Sequence, residues 1–213
     1  MIEAVVFDLD GTLIDSEAVA FATGREIFGP HSPVFDADFF HALVGVDDAT
    51  ARIRITEALP AGTSFETIHG AWRRAIRARF IAEGVPLKPG ARESLERLKT
   101  LGFPIAIATS SLEESATFKL DRAGIAGYFA EVVVRESIVS PKPAPDAYLE
   151  AARRLGIAPE RCLALEDSTL GAQAAWSAGM RVIQIPDVVA PKARPEWEIA
   201  PDLLTALQIA GLA

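Results

Sequence analysis

At 213 residues, half of them apolar, the chain is long enough for one large domain or two modest ones around a hydrophobic core. Its net charge of −8 argues against a surface made to hold nucleic acid, which needs clustered Lys and Arg, although a small phosphate ester could still be bound locally. The single cysteine, Cys162, excludes an intrachain disulfide and a zinc–cysteine cluster and reads as a small core residue. No charged n-region precedes an apolar h-region, and no apolar run approaches the roughly 18 residues of a membrane span, so the expectation is a cytoplasmic monomer without a membrane partner.

The first predicted element is a strand over residues 4–8, "AVVFD", followed at once by "LDGTLIDSE". From 16 to 86 no strand is evident. Helical stretches at 49–59 and 65–83, separated by "GPHSPVF" and "PAGTS", read as a helical insert too long to be a simple crossover. From 87 onward helix and strand alternate. Helices are predicted over 90–101, 115–123, 146–155 and 170–178, the last two stopped by Gly156 and Gly179. Strands are predicted over 104–109, 131–134, 162–166 and 181–185. These short, almost continuously apolar runs are the pattern of strands covered on both faces, and the alternation predicts a doubly wound parallel α/β sheet. The expected domains are therefore 1–15 plus 87–213 for the sheet and 16–86 for the insert.

In such sheets ligands bind beyond the carboxyl ends of the strands. The first strand delivers Asp8 and Asp10. An Asx-rich turn is the plain explanation, but adjacent carboxylates repel each other unless a cation or shared proton offsets the charge, which points to a hard cation such as Mg2+. The second strand delivers Thr109, Ser110 and Ser111, the third is followed by Lys142 in "SPKP", and the fourth ends in Glu166 and Asp167. Taken singly, Lys142 could be a solvated loop lysine and "TSS" a helix N-cap. Together they are the parts needed to cut a phosphate monoester: an attacking carboxylate, a carboxylic acid for the leaving oxygen, a metal, and donors for the remaining oxygens.

"DLDGTLIDSE", "IATSS", "SPKPAPDAYL" and "LEDSTLGAQAA" resemble, in order, the four motifs of the haloacid dehalogenase superfamily. The resemblance implies a Rossmann-like core carrying an inserted small all-α cap. It implies that Asp8 is the nucleophile, forming an aspartyl-phosphate, and that Asp10 is the general acid and then base. Ser110, the N–H of Ser111 and Lys142 would bind the phosphoryl group. Mg2+ would be held by Asp8, the Asp10 carbonyl and Asp167, with Glu166 a direct or water-mediated ligand. An acid at Asp10 separates phosphatases and phosphomutases from dehalogenases, which need no proton for a halide.

The Glu-Asp-Ser-x-x-Gly form of the last motif is most similar to the branch containing β-phosphoglucomutase and sugar-phosphate phosphatases. After Gly45, where a mutase would want an arginine for a second phosphate, this chain has Asp47 and Asp48. The expected activity is therefore hydrolysis of a small phosphate ester of a sugar or sugar acid, with a phosphomutase as the alternative and a phospho-accepting signalling module as the alternative of another class. Arg52, Arg54, Arg73, Arg74, Arg77 and Arg79 read as a solvated helix face, His41 and His69 as structural or exposed, and Trp72 as core.

Overall fold

Ala4–Phe7 is an uninterrupted apolar run and forms β1, buried at every position. The computed structural model describes residues 1–29, 35–43, 48–187, 194 and 196–212. The chain divides into two compact units, Ser16–Gly84 and Met1–Asp15 with Val85–Ala213.

Within the described residues, Ser16–Gly84 is helical: α1 (Ser16–Phe28), α2 (Ala37–Leu43), α3 (Asp48–Ala58) and α4 (Phe65–Glu83). Ser64 caps α4 by accepting from the Thr67 N–H, and Gly84, at φ 83°, ends it in a conformation that disfavours any side chain. The apolar faces meet around Phe28, Phe35, Phe40, Ile55, Ile68 and Trp72. Phe28 stacks on Phe35 at 4.6 Å, and Trp72 stands edge-on to both. The indole N–H, the one polar atom of that ring, donates to the Ala20 carbonyl at 2.8 Å.

In the second unit β1 is followed, from Val85 onward, by α5 (Ala91–Thr100), β2 (Ile105–Ala108), α6 (Glu113–Ala123), β3 (Glu131–Val133), α7 (Asp146–Leu155), β4 (Cys162–Glu166), α8 (Thr169–Ser177), β5 (Arg181–Gln184), β6 (Glu198–Ile199) and α9 (Leu203–Ala210). The described strands form one parallel sheet in the order β3-β2-β1-β4-β5-β6. The α/β class and the parallel sheet are those predicted. The order reverses at β1, whose neighbours are β2 on one side and β4 on the other, and it is beyond the carboxyl end of such a strand that open parallel sheets bind ligands.

Small side chains set the spacing in this unit. Ala147 and Ala151 of α7 and Ala172 and Ala175 of α8 are buried with Ala106, Ala108 and Ala164 of the strands in one core cluster. Alanine on both sides lets helix backbones approach the sheet closely. Cys162 is fully buried there, as the sequence predicts.

In the sheet unit two elements, β6 and α9, escape the sequence reading. β6 is only two exposed residues and carries no apolar pattern. α9, "LLTALQIA", is apolar almost all round, so its period does not distinguish helix from buried strand. Its ends are nevertheless marked, by Asp202 accepting from the Thr205 N–H and by Gly211 in the left-handed region. No helix among the described residues is long and apolar enough to cross a membrane.

Candidate active site

The site grows out of the register between β1 and β4. Phe7 pairs with Leu165, and the ladder extends one bond further as the Asp8 N–H donates to the Leu165 carbonyl at 2.9 Å. Asp8 therefore leaves the sheet alongside Glu166. Lys142, from the loop before α7, bridges the two: its Nζ lies 2.6 Å from Asp8 Oδ1 and 2.6 Å from Glu166 Oε1. All three side chains are at most 10 % exposed. Two carboxylates and one ammonium at such depth hold together only because each charge is paired and hydrogen-bonded.

Glu166 is satisfied on both oxygens. Oε1 also accepts from the phenol of Tyr148 at 3.1 Å, while Oε2 accepts from the Ser168 N–H at 2.8 Å and the Ser168 hydroxyl at 2.9 Å. Ser168 in turn caps α8 by accepting from the Gly171 N–H. A Cβ on Gly171 would lie 1.6 Å from Glu166 Oε1, so only glycine leaves room for this carboxylate. Gly11, at φ 85°, is constrained twice: a side chain is disfavoured by the backbone, and its Cβ would stand 2.6 Å from Asp167 Oδ2.

Burial pushes the Asp8 carboxyl up from an ordinary 3.8 to about 7, with the charges of Glu166 and Asp10 adding to the rise and Lys142 opposing it. For Lys142, burial acts downward, yet Asp8 and Glu166 outweigh it and hold the ammonium well above its usual range. Burial, then the charge of Glu166, raises the Tyr148 phenol well above its ordinary value, which keeps it a neutral donor. The cluster therefore carries an excess of carboxylates over its lysine.

A second cluster adjoins the first. Asp10, the next residue of its kind along the β1 exit, accepts from Ser111 Oγ at 2.8 Å and from Lys119 Nζ at 2.7 Å and 2.9 Å, one distance to each carboxylate oxygen. Asp167 accepts from the Thr12 hydroxyl at 3.3 Å. Its backbone carbonyl accepts from Gln184 Nε2, and the Gln184 amide oxygen accepts from the Trp197 indole, each at 2.9 Å. Asp8, Glu166 and Asp167 each offer one carboxylate oxygen within 4.8 Å of the others, an all-oxygen set of the kind that suits a hard divalent cation.

The residues singled out in the sequence thus fall into two adjoining groups, Asp8 with Lys142, Glu166 and Asp167, and Asp10 with Ser111. Ser110 is exposed on the same loop as Ser111. The Ser111 N–H donates to Thr109 Oγ1 at 3.1 Å, so it must exchange that partner to reach a ligand. Lys119 and Tyr148 were not foreseen. Each sits on a helix where it reads as an ordinary face residue, and only the tertiary fold brings it to a carboxylate.

In the helical unit, Gly45, Asp47 and the side chain of Asp48 lie outside the described residues. Arg73, Arg74 and Arg77 are exposed, Arg52 pairs with Glu66, Arg54 donates to the Ala42 carbonyl, and Arg79 pairs with Glu26. His69 stacks on Phe65 at 4.9 Å. His41 is half-buried beside Phe40.

The profile of the haloacid dehalogenase-like hydrolases matches residues 2–179. The chain is 32% identical over 181 residues to the phosphorylated carbohydrates phosphatase of Thermotoga maritima, covering 85% of this chain and 83% of that protein. It is 30% identical over 183 residues to the fructose-1-phosphate phosphatase YqaB of Escherichia coli, covering 85% and 95%. The crystal structure of CbbY from Rhodobacter sphaeroides in complex with phosphate superposes with a TM-score of 0.79 at 28% identity, covering 100% of this chain and 99% of that one.

Proposed function

Because the chain belongs to the haloacid dehalogenase-like hydrolase family, we propose that it hydrolyses small phosphate monoesters, of sugars or sugar acids, in a Mg2+-dependent reaction through a phosphorylated Asp8. The observation that carries the proposal is the buried bridge of Lys142 between Asp8 and Glu166, with Asp167 alongside and Asp10 two residues after Asp8. The relatives' activities on phosphorylated carbohydrates and fructose 1-phosphate support the substrate class.

In the first half-reaction a carboxylate oxygen of Asp8 attacks phosphorus, the bond from phosphorus to the ester oxygen breaks, and the carboxyl proton of Asp10 goes to the departing oxygen. In the second, water attacks phosphorus and gives a proton to Asp10, the bond from phosphorus to the Asp8 oxygen breaks, and Asp8 is left as the free carboxylate while inorganic phosphate departs. Lys142, already against Asp8, orients the nucleophile and offers positive charge to the phosphoryl oxygens. Ser110 and the Ser111 N–H supply further donors from the carboxyl end of the neighbouring strand β2.

For the cation, the donor chemistry fits: Asp8 and Asp167 would be direct ligands with the Asp10 carbonyl, while Glu166, whose oxygens already accept from Lys142, Tyr148 and Ser168, suits a water-mediated role. When bound, Mg2+ offsets the repulsion between the anionic nucleophile and the phosphoryl group. The Ser16–Gly84 unit, inserted between β1 and the rest of the sheet, is in this proposal the cap that selects the substrate.

The test is a phosphate-release screen of the purified chain against sugar and sugar-acid phosphates. Release is expected with Mg2+, none after EDTA, and inhibition by Ca2+, whose looser coordination misaligns the oxygens. Full activity in metal-free buffer refutes the metal dependence. A coupled glucose 6-phosphate assay on glucose 1-phosphate, run beside it, exposes transfer in place of hydrolysis. An acetyl-phosphate label that persists for minutes, without turnover of any ester, points to a phospho-accepting module instead.

A further inference from the structure

We infer that Lys119 is a positioning residue for Asp10, fixing the carboxyl that exchanges its proton with the leaving oxygen; the inference rests on the reaction proposed above. Its ammonium has three protons and finds three acceptors, Asp10 Oδ1 at 2.7 Å, Asp10 Oδ2 at 2.9 Å and Ser111 Oγ at 3.2 Å. The Ser111 hydroxyl closes the triangle by donating to Asp10 Oδ2 at 2.8 Å. A contact to both carboxylate oxygens fixes the plane of the group as well as its place, which one hydroxyl bond cannot do.

The placement follows from α6. Ala116, Leu120 and Ala123 form its buried face, and Lys119 borders that face. Helical side chains slant toward the N-terminus, so a lysine roughly two turns into α6 runs its stem back toward the loop that carries Ser111. The stem lies against the protein and the tip emerges at Asp10, leaving the side chain 15 % exposed. Ordering a four-carbon chain this fully carries a large entropic cost, and an ordinary surface lysine does not incur it. The division of labour is also distinct. Lys142 serves Asp8 and Glu166, whereas Lys119 serves Asp10.

A residue that places the acid acts most on reactions that need the acid. When an alkyl ester is cut, the departing oxygen must take the Asp10 proton as its bond to phosphorus breaks. A p-nitrophenolate leaves as a stable anion and has little need of it. The experiment compares Lys119→Met and Lys119→Gln with the unaltered enzyme, in saturating Mg2+, on fructose 1-phosphate and on p-nitrophenyl phosphate, following kcat and KM separately. The expected result is a fall in kcat for the alkyl ester of about ten- to a hundredfold, a fraction of the roughly hundred- to ten-thousandfold that a general acid contributes. The fall for the aryl ester should be at least about tenfold smaller, and Lys119→Arg should recover most of the alkyl activity.

Equal losses on both esters, or a loss confined to KM, overturn the inference, because a merely structural or substrate-binding lysine does not discriminate by leaving group. So does retention of alkyl turnover in both variants. Asp10→Asn on the same two esters is the reference. If it shows the alkyl–aryl split and the Lys119 variants do not, the inference fails while the reaction stands; if it shows no split, the acid role of Asp10 fails and takes the inference with it. Melting temperatures of the folded variants identify any loss due to unfolding, and the alkyl-to-aryl ratio is insensitive to the fraction folded.

Discussion

The two units of this chain are stabilised by opposite means. Ser16–Gly84 packs large rings, Phe28, Phe35, Phe40 and Trp72, around one another, and its pairs Arg52–Glu66 and Arg79–Glu26 lie toward solvent. The sheet unit lines one of its core clusters largely with alanine and small β-formers and buries charge, with Lys142 between Asp8 and Glu166. Rings tolerate several arrangements of nearly equal energy. Alanine packing leaves backbones nearly in contact and allows few alternatives, and such a frame can hold ionised groups to the distances on which their pairing depends. Charge is buried in the unit whose packing can fix it.

The sharpest way to break this contrast is to remove one charge and keep its shape. Asp8→Asn takes away the proposed nucleophile while leaving one fewer carboxylate around Lys142, and turnover is expected to fall by about a thousandfold or more while the melting temperature holds or rises. A steady-state assay beside a thermal scan reads both, provided that deamidation back to Asp is checked by mass. Next in size is Trp72→Ala. Loss of the ring and its bond to Ala20 should cost about 3–5 kcal/mol within the helical unit, visible as early loss of near-ultraviolet dichroism.

Gly171→Ala tests the sheet unit on its own terms with a single methyl. A Cβ at 1.6 Å from Glu166 Oε1 must displace that carboxylate, and through it Lys142, so about 1–3 kcal/mol of destabilisation is expected with a disproportionate fall in activity. Wild-type kinetics in this variant would show that Glu166 does not anchor Lys142. The smallest effect is the response to pH without metal. With Asp8 raised to about 7 in the fold from 3.8, the folded state favours its protonated form. The stability this carboxyl contributes is complete below about pH 4 and is lost as the pH rises through about 7. Metal-free protein is expected to melt lower at about pH 8 than at about pH 5.5, and Asp8→Asn should flatten that difference.

Much of this was legible in the sequence. β1 to β5 announce themselves because each is a short, mostly apolar run, and the carboxyl ends of β1, β2 and β4 carry Asp8, Ser110, Glu166 and Asp167. A charged residue that ends an apolar strand is a local signal. Lys119 and Tyr148 are another matter. Lys119 lies 109 positions from Asp10 and Tyr148 18 from Glu166, and each stands in a helix where a lysine beside a buried face or an aromatic within one is ordinary. What makes them notable is the partner, which depends on which strand the helix packs beside. Gly171 was likewise visible only as part of a motif; the reason for it appears once Glu166 occupies the space its side chain would need.

Cys162 opens the strand that Glu166 closes. Its thiol is fully buried, and burial, with the nearby charge of Glu160, pushes it up to about 11, so the thiolate that reacts with alkylating reagents is scarce as well as hidden. As the chain's lone sulfhydryl, it is a built-in clock. Labelling by a disulfide reagent requires opening around Cys162, and its rate with and without Mg2+ or phosphate tests whether occupation of the proposed site locks the strand on which it is built.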